Sequence, residues 1–190
     1  MSAEGRAGLV VVDKPAGMTS HDVVARIRRL AGTRKVGHAG TLDPMATGVL
    51  LVGVNRATRL LGHLTLTEKA YDATVRLGAS TTTDDAEGET LTTASVRHVT
   101  EDDVRSAAGR FIGDIEQKPS AVSAIKVDGK RAYARVRDGE DVDLPARPVT
   151  VHELLVTDVR PAEGLAGGVL DVDVSVRCSS GTYIRAIARM

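Results

Sequence analysis

Residues 37 to 48 read Gly-His-Ala-Gly-Thr-Leu-Asp-Pro-Met-Ala-Thr-Gly, and the aspartate among them, Asp43, is the only carboxylate between Asp22 and Glu68. Glycines at both ends and in the middle let a backbone come close to a ligand. Pro44 fixes its own φ and biases Asp43 toward an extended conformation. A loop built this way aims one acid. The same spacing suits an aspartate that caps the following turn, and the residues alone leave both roles open.

Aromatic rings are the second chemical resource, and they are scarce: three Tyr, one Phe and no Trp. Phe111 fits the apolar face of a helix, and Tyr133 falls in a short basic one. Tyr71 stands near the start of a strand after Lys69 and Ala70, and Tyr183 directly follows a Ser-Gly-Thr turn with Arg185 two positions on. Rings so placed can stack on an exposed base, worth about 1–3 kcal/mol each. Taken singly, each also suits a half-buried tyrosine with a satisfied hydroxyl.

Other sites are missing. No GxGxxG follows a strand, no GxxxxGK[ST] occurs and no GxSxG elbow is present, which removes the usual support for dinucleotide binding, P-loop hydrolysis and α/β-hydrolase chemistry. The five His and the lone Cys178 show no pair at metal-ligand spacing, so a structural zinc is not expected. The 190 residues are 42% hydrophobic and 26% charged, the composition of an ordinary globular protein. No apolar run reaches the length of a membrane span. A single cysteine and an N-terminus without a basic and then apolar block lead us to expect a cytoplasmic setting.

Net charge is zero, but it is unevenly distributed. Up to His63 there are nine basic and four acidic residues; from Leu64 to Ser120 there are six and eleven. A basic first third could hold phosphate, though a solvated helix face would carry the same charges.

These residues need elements to position them. Gly8 to Asp13 reads as a strand entering the Lys14-Pro15-Ala16-Gly17 turn. Thr19 and Asp22 form a capping-box start for a helix with apolar positions Val23, Val24, Ile27, Leu30 and Ala31, and Thr100 with Asp103 starts another. Val49 to Val54 is a buried strand, Ala57 to Leu64 a short helix, and Ala70 to Gly78 a half-buried strand. Ser80 to Thr93 is polar and acidic and reads as an exposed loop. Ser123 to Val127 and Val149 to Val159 are strand-like, and Arg131 to Asp138 is a helix stopped by Gly139. The clearest alternation runs from Leu170 to Cys178, and a helix starts near Tyr183. The whole is an α+β domain with a mixed, largely antiparallel sheet and flanking helices.

Six collinear segments carry a resemblance: DKPAGMTSHD (13–22), GHAGTLDPMATGVL (37–50), KAYDATVRLG (69–78), TDDAEG (83–88), KPSAVSAIKVDGKRAY (118–133) and CSSGTYIRAIAR (178–189). In order they resemble the TruB family of bacterial tRNA pseudouridine(55) synthases, over nearly the whole chain. The resemblance implies the pseudouridine synthase catalytic fold across residues 1–190, incomplete at its C-terminus and without the small PUA-type RNA-binding domain that usually follows. It implies isomerisation of the uridine at position 55 in the T-arm loop of tRNA, by a monomer, with no cofactor and no metal.

The match places the essential acid on Asp43, acting at C1′ or C2′ of the ribose or at C6 of the ring. Arg185 matches the arginine that pairs with it, Tyr71 the tyrosine that stacks on the target base, Tyr183 a second pocket tyrosine, and His38 the histidine that packs into the T-loop. Lys14 and Pro15, with Arg26, Arg28, Arg29, Arg34 and Lys35, are expected on the RNA backbone. The target base must be flipped out first, at a cost of a few kcal/mol. The other expectation is a T-arm RNA-binding or RNA-folding fragment that grips without catalysis.

Overall fold

A computed structural model describes residues 5–65, 68–123, 125–127, 129–140, 142–162 and 168–190. The chain forms two compact units, Met1–Thr67 and Glu68–Met190.

In the first unit, strands β1 (Gly8–Lys14), β2 (Val36–Ala39) and β3 (Gly48–Val54) pair antiparallel in the order β1-β3-β2. Helix α1 (Ser20–Ala31) covers one face. Thr19 accepts from the Asp22 amide while the Asp22 carboxylate takes the Thr19 amide, the reciprocal capping box expected from the sequence. The Thr19 hydroxyl also donates to the Asp22 carboxylate (2.6 Å), and this bond, with the one from the Thr19 amide, holds the Asp22 carboxyl below its usual range. Val23 and Val24 pack on Val36, Leu50, Val52 and Val54. Leu30, expected on the same face, is 79% exposed, because contact with the core ends at Ile27 and the last turn runs on to Gly32, where a left-handed φ of 61° stops the helix. A 3₁₀ turn (Asn55–Leu60) and helix α2 (Leu61–Leu64) occupy the stretch read as one short helix.

The second unit is built on an antiparallel sheet. Strands β4 (Lys69–Leu77), β11 (Leu170–Cys178), β10 (Arg147–Pro161) and β7 (Gly113–Gln117) lie in that order. One face buries Val151, Leu154, Val156, Val172, Val174 and Val176 against Val104 of helix α3 (Glu101–Gly109) and Ile187 of helix α5 (Ile184–Arg189). The other face carries cross-strand ion pairs, Arg76 with Asp171 (2.8 Å) and Arg160 with Asp173 (2.5 Å). The alternation of Leu170 to Cys178 is therefore a strand with one wet and one dry side.

Residues 80–93 correct the sequence reading. They form a hairpin, β5 (Ala79–Thr81) with β6 (Thr90–Thr93), in place of an open loop. Strands β8 (Lys126–Val127) and β9 (Lys130–Arg131) flank the predicted turn, of which Asp128 is outside the described residues; helix α4 (Ala132–Arg137) follows and ends at Gly139, φ 82°. Every strand pairing among the described residues is antiparallel.

Candidate active site

The acid loop hangs between β2 and β3, with left-handed glycines at its two ends, Gly40 (φ 83°) and Gly48 (φ 112°). Its backbone is tied on both sides of Asp43. The Ser20 hydroxyl accepts from the Leu42 amide (3.1 Å) and donates to the Leu42 carbonyl (3.3 Å). The Pro44 carbonyl accepts from the Gly17 amide (2.9 Å) and the Lys14 ammonium (3.1 Å). Ala46 closes the turn by donating to the Asp43 carbonyl (3.1 Å). Asp43 itself is half-buried.

Lys14 was expected on the RNA backbone, and the structure corrects this. Its side chain is 0% exposed and donates also to the carbonyls of Pro15 (3.1 Å) and Met18 (2.6 Å). Three carbonyl oxygens satisfy the ammonium, which could not otherwise be buried without a large desolvation cost. The ammonium is thus a knot between the Lys-Pro-Ala-Gly turn and the acid loop. Lys14→Met keeps the bulk of the stem and removes the shared donor from all three carbonyls, leaving Pro44 with the Gly17 amide; we expect a loss of about 3 kcal/mol of stability, read by urea unfolding. A midpoint equal to that of the unaltered chain would show that the knot holds nothing.

His38 sits in β2 opposite Val52, and its Nδ1 meets the Gly40 carbonyl. A carbonyl can only accept, so the contact places a hydrogen on Nδ1. The His21 ring approaches edge-on, with centroids 5.5 Å apart. Pro15, Arg26, Arg29, Arg34 and Lys35 are exposed, whereas Arg28 is engaged at home, donating to the Val36 carbonyl (3.1 Å).

The remaining predicted residues lie in the second unit. Tyr71, opposite Val176 in the β4–β11 pair, is partly buried against the core that Ile184 also joins. Tyr183 caps α5, and Arg185 sits in its first turn. The Arg185 guanidinium donates to the carbonyls of Thr83 (2.9 Å) and Val122 (3.0 Å) and pairs with Asp85 (3.2 Å), the two side chains being only 14% and 9% exposed. One turn on, Arg189 donates to Asp84 (2.7 Å) and to the Lys118 carbonyl (2.6 Å). Asp85 accepts in addition from the Thr83 hydroxyl (2.5 Å) and the Glu87 amide (3.0 Å).

Sequence reasoning missed Asp85, Ser20 and Gln117. The last holds the Tyr183 backbone from both sides. Their only signal was a position inside a quoted segment, or beside one for Gln117. The side chain of Tyr133 lies outside the described residues. Burial pushes the Cys178 thiol up, outweighing the opposing hydrogen bond with Thr182, so it is a poor nucleophile near neutrality. Among the described residues, no three His, Cys, Asp or Glu side chains are grouped to hold a metal ion, and no helix is long and apolar enough to cross a membrane.

A family model described as "TruB family pseudouridylate synthase (N terminal domain)" matches residues 28–184. The chain belongs to this family. This TruB-family chain is 67% identical over 183 residues to the tRNA pseudouridine synthase B of Arthrobacter sp. (strain FB24), covering 96% of the chain and 59% of that relative. It is 64% identical over 182 residues to the protein of the same name from Thermobifida fusca (strain YX), covering 96% and 62%. It thus spans about three fifths of the length of these curated relatives.

Solved structures carry the same fold. One is an H/ACA RNP bound to a substrate RNA containing 2′-deoxyuridine, with a TM-score of 0.64 and 28% identity over 95% of this chain and 40% of that one. Another is the archaeal box H/ACA sRNP Nop10-Cbf5 complex, with a TM-score of 0.64 and 29% identity over 97% and 42%. The TruB-family match takes in His38, Asp43, Tyr71 and Tyr183 and stops one residue short of Arg185.

Proposed function

We propose that this chain isomerises uridine to pseudouridine in tRNA, at position 55 of the T-arm loop, with Asp43 as the catalytic acid residue. The observation that supports this best is the acid loop itself, a carboxylate between two residues whose backbones are each fixed by hydrogen bonds. In the reaction the N1–C1′ bond breaks, the uracil turns, C5 bonds to C1′, the C5 proton leaves to solvent and N1 takes up a proton in exchange. The base is retained and no water has to be delivered, so one carboxylate suffices where hydrolytic glycosidases typically use two.

Arg185 is the guanidinium proposed to steady the Asp43 carboxylate. Tyr71 and Tyr183 would line the pocket, His38 would pack into the T-loop, and Pro15 with Arg26 and Arg29 would face the RNA backbone. A monomer working in the cytoplasm, where tRNA is found, completes the reading. The second reading is an RNA-binding or RNA-folding protein that grips the T-arm without conversion, supported by the exposed basic side chains of Arg26, Arg29, Arg34 and Lys35.

Release of label from C5-tritiated uridine in a T-arm stem-loop decides between them. Tritium release matching the pseudouridine formed is expected. Binding of the stem-loop with no release of label would leave only the second reading.

A further inference from the structure

We propose that Gln117 is a positioning residue for the reaction, fixing Tyr183 and through it the first turn of α5 that carries Arg185. The inference deepens the proposed function and rests on it for the roles of those two side chains. Gln117 ends β7 and is 1% exposed. Its Oε1 accepts from the Tyr183 amide (2.7 Å) and its Nε2 donates to the Tyr183 carbonyl (3.0 Å). One carboxamide thus satisfies both backbone groups of one residue, as a paired residue does in an antiparallel ladder.

Helix α5 depends on this contact. Tyr183, at the start of the helix, makes no side-chain cap bond of its own. A sheet residue instead ties the backbone on both sides of Tyr183 and so fixes where the first turn begins. The next residue, Lys118, offers its carbonyl to Arg189 (2.6 Å), so the second turn of α5 is also tied to the end of β7. Only an amide of this length does this. A carboxylate loses the donor, and an apolar side chain loses both bonds.

Gln117→Met keeps the bulk and removes the polar ends. We expect kcat for T-arm uridine to fall by about a hundredfold, the effect of misplacing a catalytic group by roughly 1 Å. KM should stay within a few fold, and exchange of the Tyr183 amide hydrogen should quicken in the folded chain. Gln117→Glu should show the same split. An unchanged kcat, or a kcat that falls only in step with RNA affinity or with melting temperature, would overturn the proposal. If the unaltered chain forms no pseudouridine, the proposed function fails and the positioning role is judged by amide exchange alone. Faster exchange at Tyr183 in Gln117→Met then supports it, and equal exchange rejects it.

Discussion

Asp43→Asn is expected to cut pseudouridine formation by at least about a thousandfold while affinity for a T-arm stem-loop stays within a few fold. The exchange replaces one carboxylate oxygen with an amide and leaves untouched the tethers that run through backbone atoms of Leu42, Asp43 and Pro44. A loss of rate at constant binding therefore reports the chemistry of the carboxylate and not its position. The competing role, an aspartate that merely caps its turn, makes the opposite forecast. Stability would drop by about 1 kcal/mol and conversion would persist. Measuring turnover, binding and melting on one preparation separates the two, and a variant that still isomerises uridine removes Asp43 from the mechanism.

The loop and its acid were legible because glycine and proline act locally, through the φ values they allow or fix. The same holds for the two capping boxes, whose partners lie three residues apart, at Thr19 with Asp22 and at Thr100 with Asp103. The alternation of β11 was legible because one face of its sheet is wet. Short elements without such a face were not. Strand β2 is four residues long and lies in a stretch whose glycines read as a loop, and β6 is exposed at every position, so neither shows a period. Leu30 failed for a related reason, since periodicity gives a helix its apolar side but not the length of the surface beneath it.

What the sequence withheld about the site were the long-range ties. Ser20 follows the Thr19 cap with no local signal of its own, and its bond to the acid loop spans 22 positions. Lys14 beside a turn in a basic region read as a phosphate contact, because burial of its ammonium depends on carbonyls as far away as residue 44. Asp85 was one acid among several in a polar stretch, and the group that makes it different, Arg185, is 100 residues further on. Gln117 and Tyr183 are 66 positions apart.

Asp85 leads to the second large effect. Asp85→Ala removes the carboxylate that faces a guanidinium only 14% exposed, at 3.2 Å, and at the same time frees the Thr83 hydroxyl and the Glu87 amide that it holds. Deleting one partner of a buried pair is costly, and we expect about 3 kcal/mol of lost stability. Conversion should fall with it by about a hundredfold at a temperature where the variant remains folded, since Arg185 would no longer be held at its carboxylate end. Asp85→Asn divides the contributions. It can still accept from Thr83 and Glu87 but offers Arg185 no charge, so it should keep the hairpin turn and lose the rate. A cycle with Arg185→Met completes the argument: if the two side chains act as a unit, the double variant should lose little more activity than the worse single one. Losses that simply multiply would mean that Asp85 shapes the turn between β5 and β6 independently of Arg185.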